Sequence, residues 1–468
     1  TLTLSAATTS SDTMYCVFIG KAVQTVNPPA GSVAASQLAT DAVTTVKILD
    51  DAVTTAKIAD TNVTGAKLND DAISGQGALG EAPADTDEFL VSDAGTLKRV
   101  DYSYIKGITQ TSFLPTANPL IINGNMAVAQ RGTSVAGPST GTYPCADRIK
   151  WHNASDAVVT ISQATDVPTG GGFATSFKVD VTTADASVGA AQGIWIQYSL
   201  EGQNVQVFKK GTASAEAFTV AFWVKSTKTG TFIVELYDTD NTRTCSQALT
   251  VDTTNTWEKK ILNFPADTTG AFGNDNGSSL LIYLTLMAGS DYTSGSLQTT
   301  WAARDDTKRY VGQVNAMDST SNDFLFTGLQ LEVGTYTSAD LPPFRHESYG
   351  DNLRRCSRYY QLLLSGAEDT DGSFLNFTSY NGAGVYSSQM YPMGEMRAAP
   401  TGITSDNTDD FKFWTASATY VAPTLSFSRI VKKGSWVFCT LTSAPTQGYS
   451  LFSAAQNSTT LCAFEAEL

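Results

Sequence analysis

Nucleophilic catalysis through a serine, an imidazole and a carboxylate needs a histidine beside the nucleophile. The chain has only two histidines, His152 and His346, and neither follows the strand-to-helix turn that presents such a nucleophile. We interpret His346, in the run Phe344-Arg345-His346-Glu347, as a structural residue. No Gly-rich phosphate-binding motif occurs in the sequence, so nucleotide chemistry has no support.

Paired carboxylates are the second chemistry that the residue types allow, because two of them can hydrolyse a glycosidic bond. With 45 acidic residues in the chain, such pairs arise by chance. A sequence also does not show the distance between two carboxyl groups. We therefore expect a protein that is not an enzyme, with glycan hydrolysis as the alternative.

Three oxygen-rich turns look partly like calcium-binding loops. They are Asp238-Thr239-Asp240-Asn241, Asn274-Asp275-Asn276 and Glu368-Asp369-Thr370-Asp371-Gly372. None of them has the full spacing with its terminal glutamate. Asp and Asn side chains also close ordinary turns by hydrogen bonding to the nearby backbone, and we favour that interpretation over a bound ion.

Aromatic rings stack on the apolar faces of sugars, helped by hydrogen bonds from neighbouring polar groups. Trp195, Trp223 and Trp257 lie inside strand patterns, which predicts that they belong to the core. Other rings, near the end of the chain, stand among Ser, Asn and Gly, the composition of adaptable binding loops. The candidate residues for such binding are Tyr380, Tyr386, Tyr391, Phe411, Trp414 and Tyr420.

The composition indicates the kind of scaffold that must position these residues. A chain of 468 residues has room for two or three domains, and its many Gly, Ser and Thr residues with few helical periods predict an all-β fold. The net charge of −15 argues against binding nucleic acid or an anionic membrane. No long apolar run predicts membrane insertion. The six scattered cysteines form no CxxC pair, and we expect buried free thiols rather than a disulfide framework.

An apolar residue recurs at every fifth position within a ten-residue repeat. The repeated residues are Leu38, Val43, Ile48, Val53, Ile58, Val63, Leu68 and Ile73. This spacing fits neither a helix nor a strand. Eight aliphatic side chains cannot offset the entropy lost in ordering the whole stretch, so it cannot fold alone. It either stacks as a pentapeptide-type solenoid or intertwines with identical chains, and we favour the intertwined homo-oligomer.

Alternating runs separated by Gly, Asn and Asp turns follow from about 118 to 347. Phe218, Val220, Phe222 and Val224 point one way, while the residues between them point the other way. This pattern predicts a jelly-roll-like β-sandwich. Before the sandwich, residues 87–91 and 96–100 flank a Gly-containing turn and predict a β-hairpin. After the sandwich, Ser348 predicts the start of a short helix.

Several of these stretches resemble tail fibre proteins of tailed bacteriophages. Residues 15–26 and 85–99 resemble stalk elements of such fibres. Asn123-Gly124-Asn125-Met126, Gln130-Arg131-Gly132-Thr133 and Asp147-Arg148 are similar to the start of a lectin-like domain common in them, and residues 222–226, 274–277 and 328–332 are similar to its later strands and turns. In that family a Trp often follows the Asp-Arg pair, whereas here it is displaced to Trp151.

The resemblance implies an elongated homotrimeric fibre with a repeat shaft, whose core would be the eight repeated apolar residues, and a C-terminal β tip. The five expected parts are the end of an N-terminal attachment domain (1–31), the decapeptide-repeat shaft (32–76), a hairpin stalk (77–115), the lectin-like jelly-roll domain (116–347), and a short helix with the receptor-binding tip (348–468).

The same resemblance implies what the fibre would bind and where it would act. Its N-terminal end would dock on the phage tail or an adaptor protein. It would bind a host surface glycan or outer-membrane receptor through multivalent weak contacts, with no nucleic acid and no membrane insertion. The location would be the virion, after assembly in the host cytoplasm. We expect no cofactor, with a structural Ca²⁺ as the alternative by analogy with lectin-like jelly rolls. The alternatives are a tail-borne glycan depolymerase and a purely structural virion fibre.

Overall fold

The structure is a computed structural model that describes most of the chain. The described residues are 6–15, 17, 28–59, 62–63, 75, 77, 79–80, 83–94, 96–105, 119–365, 375–379, 385–390, 394–404, 411–414, 419–422, 425–440, 451–455 and 461–468. The chain divides into two compact units, Thr1–Asp87 and Glu88–Leu468. Within the described part no helix has the length and apolar character needed to cross a membrane.

The first unit contains a regular series of turns with a ten-residue period. Short 3-10 helices span Ala35–Gln37, Thr45–Lys47 and Thr55–Lys57. Asp41 and Asp51 adopt the left-handed conformation in the turns between them, with φ of 59° and 61°. The Lys47 and Lys57 ammonium groups each donate a hydrogen bond to the carbonyl oxygen five residues earlier.

This regular chain does not bury its repeated apolar residues. The six that the structure describes, from Leu38 to Val63, are 42–56% exposed. Leu68 and Ile73 lie outside the described residues. The intertwined shaft, with these side chains as its core, stays a prediction.

The second unit starts with the hairpin that the sequence predicts. Strands β1 (Glu88–Asp93) and β2 (Thr96–Asp101) pair antiparallel, with Asp93 opposite Thr96. Ala94, in the two-residue turn, has a φ of 49°, the positive value that such turns require.

Two six-stranded antiparallel sheets form the main body of this unit. Their strands, in chain order, are β3 (Ser134–Ala136), β4 (Ile149–Ala154), β5 (Val158–Ala164), β6 (Ser176–Thr183), β7 (Gly193–Glu201), β8 (Phe218–Ser226), β9 (Gly230–Asp238), β10 (Arg243–Val251), β11 (Glu258–Phe264), β12 (Ser278–Ala288), β13 (Ala302–Ala303) and β14 (Asp323–Val333). Sheet I has the order β13-β10-β9-β12-β7-β4, and sheet II has the order β11-β8-β14-β6-β5-β3. The all-β prediction is confirmed.

Inward-facing residues of both sheets share one apolar core, which makes the two sheets a sandwich. Phe218, Val220, Phe222 and Val224 of β8 are at most 2% exposed, as their alternation predicts. Three described cysteines, Cys145, Cys245 and Cys356, are buried free thiols, as expected.

A short helix and further strands follow the sandwich. The helix spans Tyr349–Cys356, and its first turn is capped by Ser348 Oγ, which accepts a hydrogen bond from the Asp351 amide at 3.1 Å. This confirms the predicted helix start. The later strands are β15 (Tyr360–Ser365), β16 (Leu375–Ser379), β17 (Val385–Met390), β18 (Thr401–Thr404), β19 (Phe411–Trp414), β20 (Thr419–Ala422), β21 (Leu425–Val431), β22 (Gly434–Thr440), β23 (Leu451–Ala455) and β24 (Leu461–Glu465). They form a sheet β15-β24-β18 and a seven-stranded sheet β20-β19-β23-β16-β17-β22-β21.

Candidate functional site

The predicted receptor-binding residues lie in the C-terminal strands or outside the described residues. Tyr380 and Tyr391 lie outside the described residues. The backbones of Tyr386, Phe411, Trp414 and Tyr420 belong to β17, β19 and β20 of the seven-stranded sheet. Their side chains are not among the described parts of the chain, so their role as receptor contacts stays a prediction.

The tryptophans expected in the core lie on the outer faces of the sandwich instead. Trp195, Trp223 and Trp257 are all partly exposed, whereas Trp151 has no exposed surface. Trp195 stands between Ile194 and Ile196, both of which point into the core. Because neighbouring side chains in a strand point to opposite faces, Trp195 must face outward. The core prediction was therefore wrong for these three residues.

Trp195 is the centre of an aromatic surface on the outer side of sheet I, here called the Trp195 face. It comprises Lys150 and His152 of β4, Trp195 and Gln197 of β7, and Tyr283 of β12. Strands β4 and β7 place His152 opposite Trp195 and Lys150 opposite Gln197. The His152 and Trp195 rings stack, with centroids 5.7 Å apart and planes inclined by 25°. Tyr283 meets Trp195 edge-on at 6.3 Å.

A hydrogen-bond chain orients the polar groups of this face. His152 Nε2 lies 2.7 Å from Gln197 Oε1, and Gln197 Nε2 donates to Ser199 Oγ at 2.8 Å. Burial lowers the pKa of His152, and it outweighs the hydrogen bond to Gln197, which acts to raise it. The ring is therefore neutral at pH 7, and with Nε2 donating to Gln197 its Nδ1 can accept a hydrogen bond.

The other half of the same sheet is covered by the segment that contains residues 290–310. Arg309 donates to both carboxylate oxygens of Glu235, at 2.7–3.1 Å, and the Tyr310 hydroxyl donates to Glu235 Oε2 at 3.0 Å. Arg309 and Glu235 are almost fully buried. Burial raises the pKa of Tyr310 well above its ordinary value, so its hydroxyl keeps the donated proton. This ion pair holds the segment against the sheet, where the Tyr292 and Tyr310 rings also contact Trp195 at centroid distances of 6.2 and 6.3 Å. Trp195 and His152 remain partly exposed beside the segment.

The Trp195 face therefore combines groups that suit a sugar. An aromatic ring can stack on the apolar face of a pyranose, and a neutral imidazole and an ammonium group can bind its hydroxyl groups. The buried Gln197 amide orients the imidazole. The sequence does contain a signal for this face, because its members alternate along β4 and β7 with apolar residues. These apolar residues are Ile149, Trp151, Ile194 and Ile196. Only the pairing of β4 with β7 brings His152 and Trp195 together.

An open cleft of about 1170 Å³ adjoins the β4 edge of this face and includes Lys150 in its lining. The carboxylates of Glu465 and Glu467 also line the cleft, and both accept hydrogen bonds from Arg131 Nη2, at 2.8 and 3.3 Å. Glu467 also binds Arg148, whose guanidinium lies 3.5 Å above the Tyr359 ring. These contacts join the last residues of the chain to the sandwich.

Glycoside hydrolysis needs a proton-donating carboxyl group and a second carboxylate that is free to act as base or nucleophile. Both carboxylates of the cleft are neutralised by Arg131. Burial raises the pKa of the nearby Asp147 to about 6, but that residue is only 1% exposed and its carboxylate accepts hydrogen bonds from Gln130. The described cleft therefore suits binding better than hydrolysis.

The oxygen-rich turns behave as turns where the structure describes them. Asp240 Oδ2 accepts from the Gly273 amide and Asp275 Oδ1 accepts from the Gly277 amide, each at 2.8 Å. Asp238 binds the buried ammonium group of Lys210 at 2.6 Å. Residues 366–374, which include the third turn, lie outside the described residues. Among those described, no three His, Cys, Asp or Glu side chains are grouped as metal ligands.

His346 has the structural setting that the sequence predicts. Its Nε2 lies 3.2 Å from the Gly171 carbonyl oxygen, and its ring contacts Phe173 and Phe344 at centroid distances of 5.1 and 4.9 Å.

No protein-family model matches this chain. No curated protein matches it either. Solved structures with a similar fold include the enzymatically active domain of tailspike protein 4 from bacteriophage CBA120, with 12% identity and a TM-score of 0.26 over 46% of this chain and 21% of that chain. The match thus spans about a fifth of the tailspike structure.

Two carbohydrate-binding modules are also similar in fold. TmCBM61, in complex with β-1,4-galactotriose, matches with 7% identity and a TM-score of 0.24 over 46% of this chain and 99% of that chain. The family 11 carbohydrate-binding module of the cellulase Lic26A-Cel5E of Clostridium thermocellum matches with 12% identity and a TM-score of 0.22 over 44% of this chain and 98% of that chain. At such identities and TM-scores the likenesses concern the fold of under half of the chain, and they indicate neither ligand nor activity.

Proposed function

We propose that this chain is a receptor-binding tail fibre protein of a tailed bacteriophage, and that its sandwich binds a host surface glycan at the Trp195 face. The observation that carries glycan binding is the stacked and partly exposed pair of His152 and Trp195, with Gln197 and Lys150 on the same face. The assignment to a phage fibre rests on the sequence resemblance.

The exposed apolar residues of the repeat support a homotrimeric fibre. Side chains such as Ile48 and Ile58, 45% and 42% exposed on one chain, would be covered if three copies intertwined. Three copies of a weak glycan site on one fibre act at a high effective concentration, so contacts of millimolar affinity can give firm adsorption.

The remaining parts follow from the same proposal. Residues 1–31 would mount the fibre on the phage tail or an adaptor protein, and the seven-stranded sheet that contains Tyr386, Phe411, Trp414 and Tyr420 would supply a second receptor contact at the tip. The fibre would be assembled in the host cytoplasm and carried on the virion.

The test of the Trp195 face uses the full chain and immobilised bacterial surface oligosaccharides. Trp195→Ala should weaken binding at least about fivefold, because truncating an interface tryptophan costs more than about 1 kcal/mol. Trp195→Phe keeps a ring for the packing with His152 and should retain part of the binding. Tyr104→Ala is the matched control, since it removes a ring that is 68% exposed and lies outside both the face and the cleft.

The outcomes separate the candidate functions. If Trp195→Ala binds as the unchanged chain does while Trp414→Ala loses binding, the receptor site lies at the tip and the Trp195 face has no role. If neither the unchanged chain nor any variant binds a glycan or a host cell, a structural virion fibre is the better assignment. Release of reducing ends from host polysaccharide by the purified protein would support the depolymerase alternative.

A further inference from the structure

The outer side of sheet II presents a second aromatic surface, here called the Trp223 face. It comprises Trp223 and Lys225 of β8, Lys259 of β11, and Trp257 just before β11. Strands β8 and β11 place Trp223 directly opposite Lys259. Asp166 joins the other two residues, since it accepts a hydrogen bond from Trp257 Nε1 at 2.9 Å and binds Lys225 Nζ at 2.6 Å.

The chain itself already covers part of this outer side. Gln330 donates a hydrogen bond to the Pro342 carbonyl oxygen, and Asn263 donates one to that of Tyr336. These contacts hold residues 335–346 over one part of sheet II. Trp223 lies beyond residues 335–346 and is partly exposed. Its ring makes no stacking or edge contact with another described ring.

Lys259 differs from the other lysines of these strands. Three of them bind carboxylates: Lys178 binds Asp180 and Asp323, Lys225 binds Asp166, and Lys260 binds Asp252 and Glu258. Lys259 is exposed, and within the described part of the chain no carboxylate lies within ion-pair distance of its ammonium group. Although the residue is exposed, partial desolvation of its ammonium group lowers its pKa, with no acidic group acting in the opposite direction.

We propose that the Trp223 face binds a saccharide that carries an anionic group, either a carboxylate or a phosphate. The Trp223 ring would stack on the sugar, and the Lys259 ammonium would pair with the anion. Directly opposed residues of an antiparallel pair have Cβ atoms about 5 Å apart, a distance that matches a sugar ring and its charged substituent. The net charge of −15 repels polyanions from the molecule in general, so the unpaired cation beside a free ring determines where an acidic sugar binds.

This site is separate from the Trp195 face, which lies on the other sheet. A failure of glycan binding at Trp195 does not remove it, and the two faces can be tested side by side in one set of titrations.

The experiment compares glucose, glucuronic acid and glucose 6-phosphate, which share a ring and differ in charge. Binding to the full chain is measured by NMR from the indole signals of its tryptophans at low ionic strength. Both acids should bind about fivefold more tightly than glucose, and added salt should reduce the difference because an exposed ion pair is screened. A preference for only one acid also supports the proposal and identifies the anion.

Two matched lysine variants separate the site from general charge effects. Lys259→Gln should abolish the preference for the acids, whereas Lys209→Gln, which removes an exposed lysine elsewhere, should retain it. Trp223→Ala should weaken all three ligands at this face, and an unchanged melting temperature shows that the variant is folded.

Three results would overturn the proposal. The first is equal binding of glucose and both acids by the unchanged chain. The second is an acid preference that survives Lys259→Gln. The third is an acid preference that disappears in Trp195→Ala and persists in Trp223→Ala, which would assign the acidic sugar to the other face.

Discussion

Lys210 offers the sharpest test of the sandwich's energetics. Its side chain has no exposed surface, and its ammonium group lies 2.6 Å from Asp238 Oδ2 and 2.9 Å from Asp267 Oδ2. The carbonyl oxygens of Thr269 and Gly270 accept hydrogen bonds from it at 2.9 and 2.8 Å. The lysine thus serves as a covalently attached cation inside a ring of four oxygen atoms.

Lys210→Met removes this charge and keeps most of the side-chain volume. Asp267 retains the guanidinium of Arg243, at 2.8 Å, but Asp238 retains only Asn241 as a side-chain donor. Leaving a buried charge without its partner costs about 3–5 kcal/mol. For a domain of this size about 1 kcal/mol shifts the melting temperature by roughly 2–4 °C, so the variant should melt about 6–20 °C lower.

The assay is thermal unfolding followed by circular dichroism at pH 7, with Lys209→Met as the matched control. Lys209 is the preceding residue, and its ion pair with Glu216 is largely exposed, so the control should lose less than about 1 kcal/mol. If the two variants melt at the same temperature, the reasoning about the buried lysine is refuted.

Acid unfolding provides a second readout of the same variant. In the folded chain burial acts to raise the pKa of Asp267, but Arg243 and Lys210 outweigh it and hold that pKa below its ordinary value of 3.8. The resulting stabilisation is complete above the unfolded pKa and is lost as the pH falls through the folded one. Lys210→Met removes one of the two cations and so raises the pKa of Asp267 in the folded chain. The variant should therefore start to unfold at a higher pH than the unchanged chain.

Added Ca²⁺ tests whether a free cation can replace the Lys210 ammonium group. Lys210→Ala opens the ring of four oxygen atoms, and Ca²⁺ prefers six to eight oxygen ligands, of which water can supply the rest. Millimolar Ca²⁺ should raise the melting temperature of Lys210→Ala and leave that of the unchanged chain unaffected. A chelator that lowers the melting temperature of the unchanged chain would instead indicate a bound ion elsewhere.

Three further substitutions test other parts of the structure. Arg309→Met leaves the fully buried Glu235 without its cation and should cost about 3–5 kcal/mol in urea unfolding; a loss below about 1 kcal/mol would contradict the ion pair. Gly328→Ala places a Cβ 2.6 Å from the Phe173 ring at a φ of +67°, so the melting temperature should fall by several degrees, and an unchanged value would argue against this backbone conformation. Ile48→Asp should convert a trimer to monomers in sedimentation, whereas a monomeric unchanged chain would remove the intertwined shaft.

The sequence predicts those features that depend on neighbouring residues. Phe222 and Val224 point inward because side chains alternate in a strand, and Ser348 starts a helix because its hydroxyl caps the first turn. The same rule already indicated an outward Trp195 and an outward Trp223. Assigning them to the core gave their apolar character more weight than the alternation, which is stricter because it follows from backbone geometry.

The candidate sites depend on residues far apart in the chain. The sequence separations are 43 residues between His152 and Trp195, 36 between Trp223 and Lys259, and 28 between Lys210 and Asp238. Pairing of distant strands sets which side chains are opposite one another, and the loops set which charges are buried together. Sequence alone determined the all-β character and the repeat period, because these follow from local periodicity. Only the tertiary structure decided which aromatic rings, cations and carboxylates meet, because strand register and long-range contacts are not encoded in any local pattern.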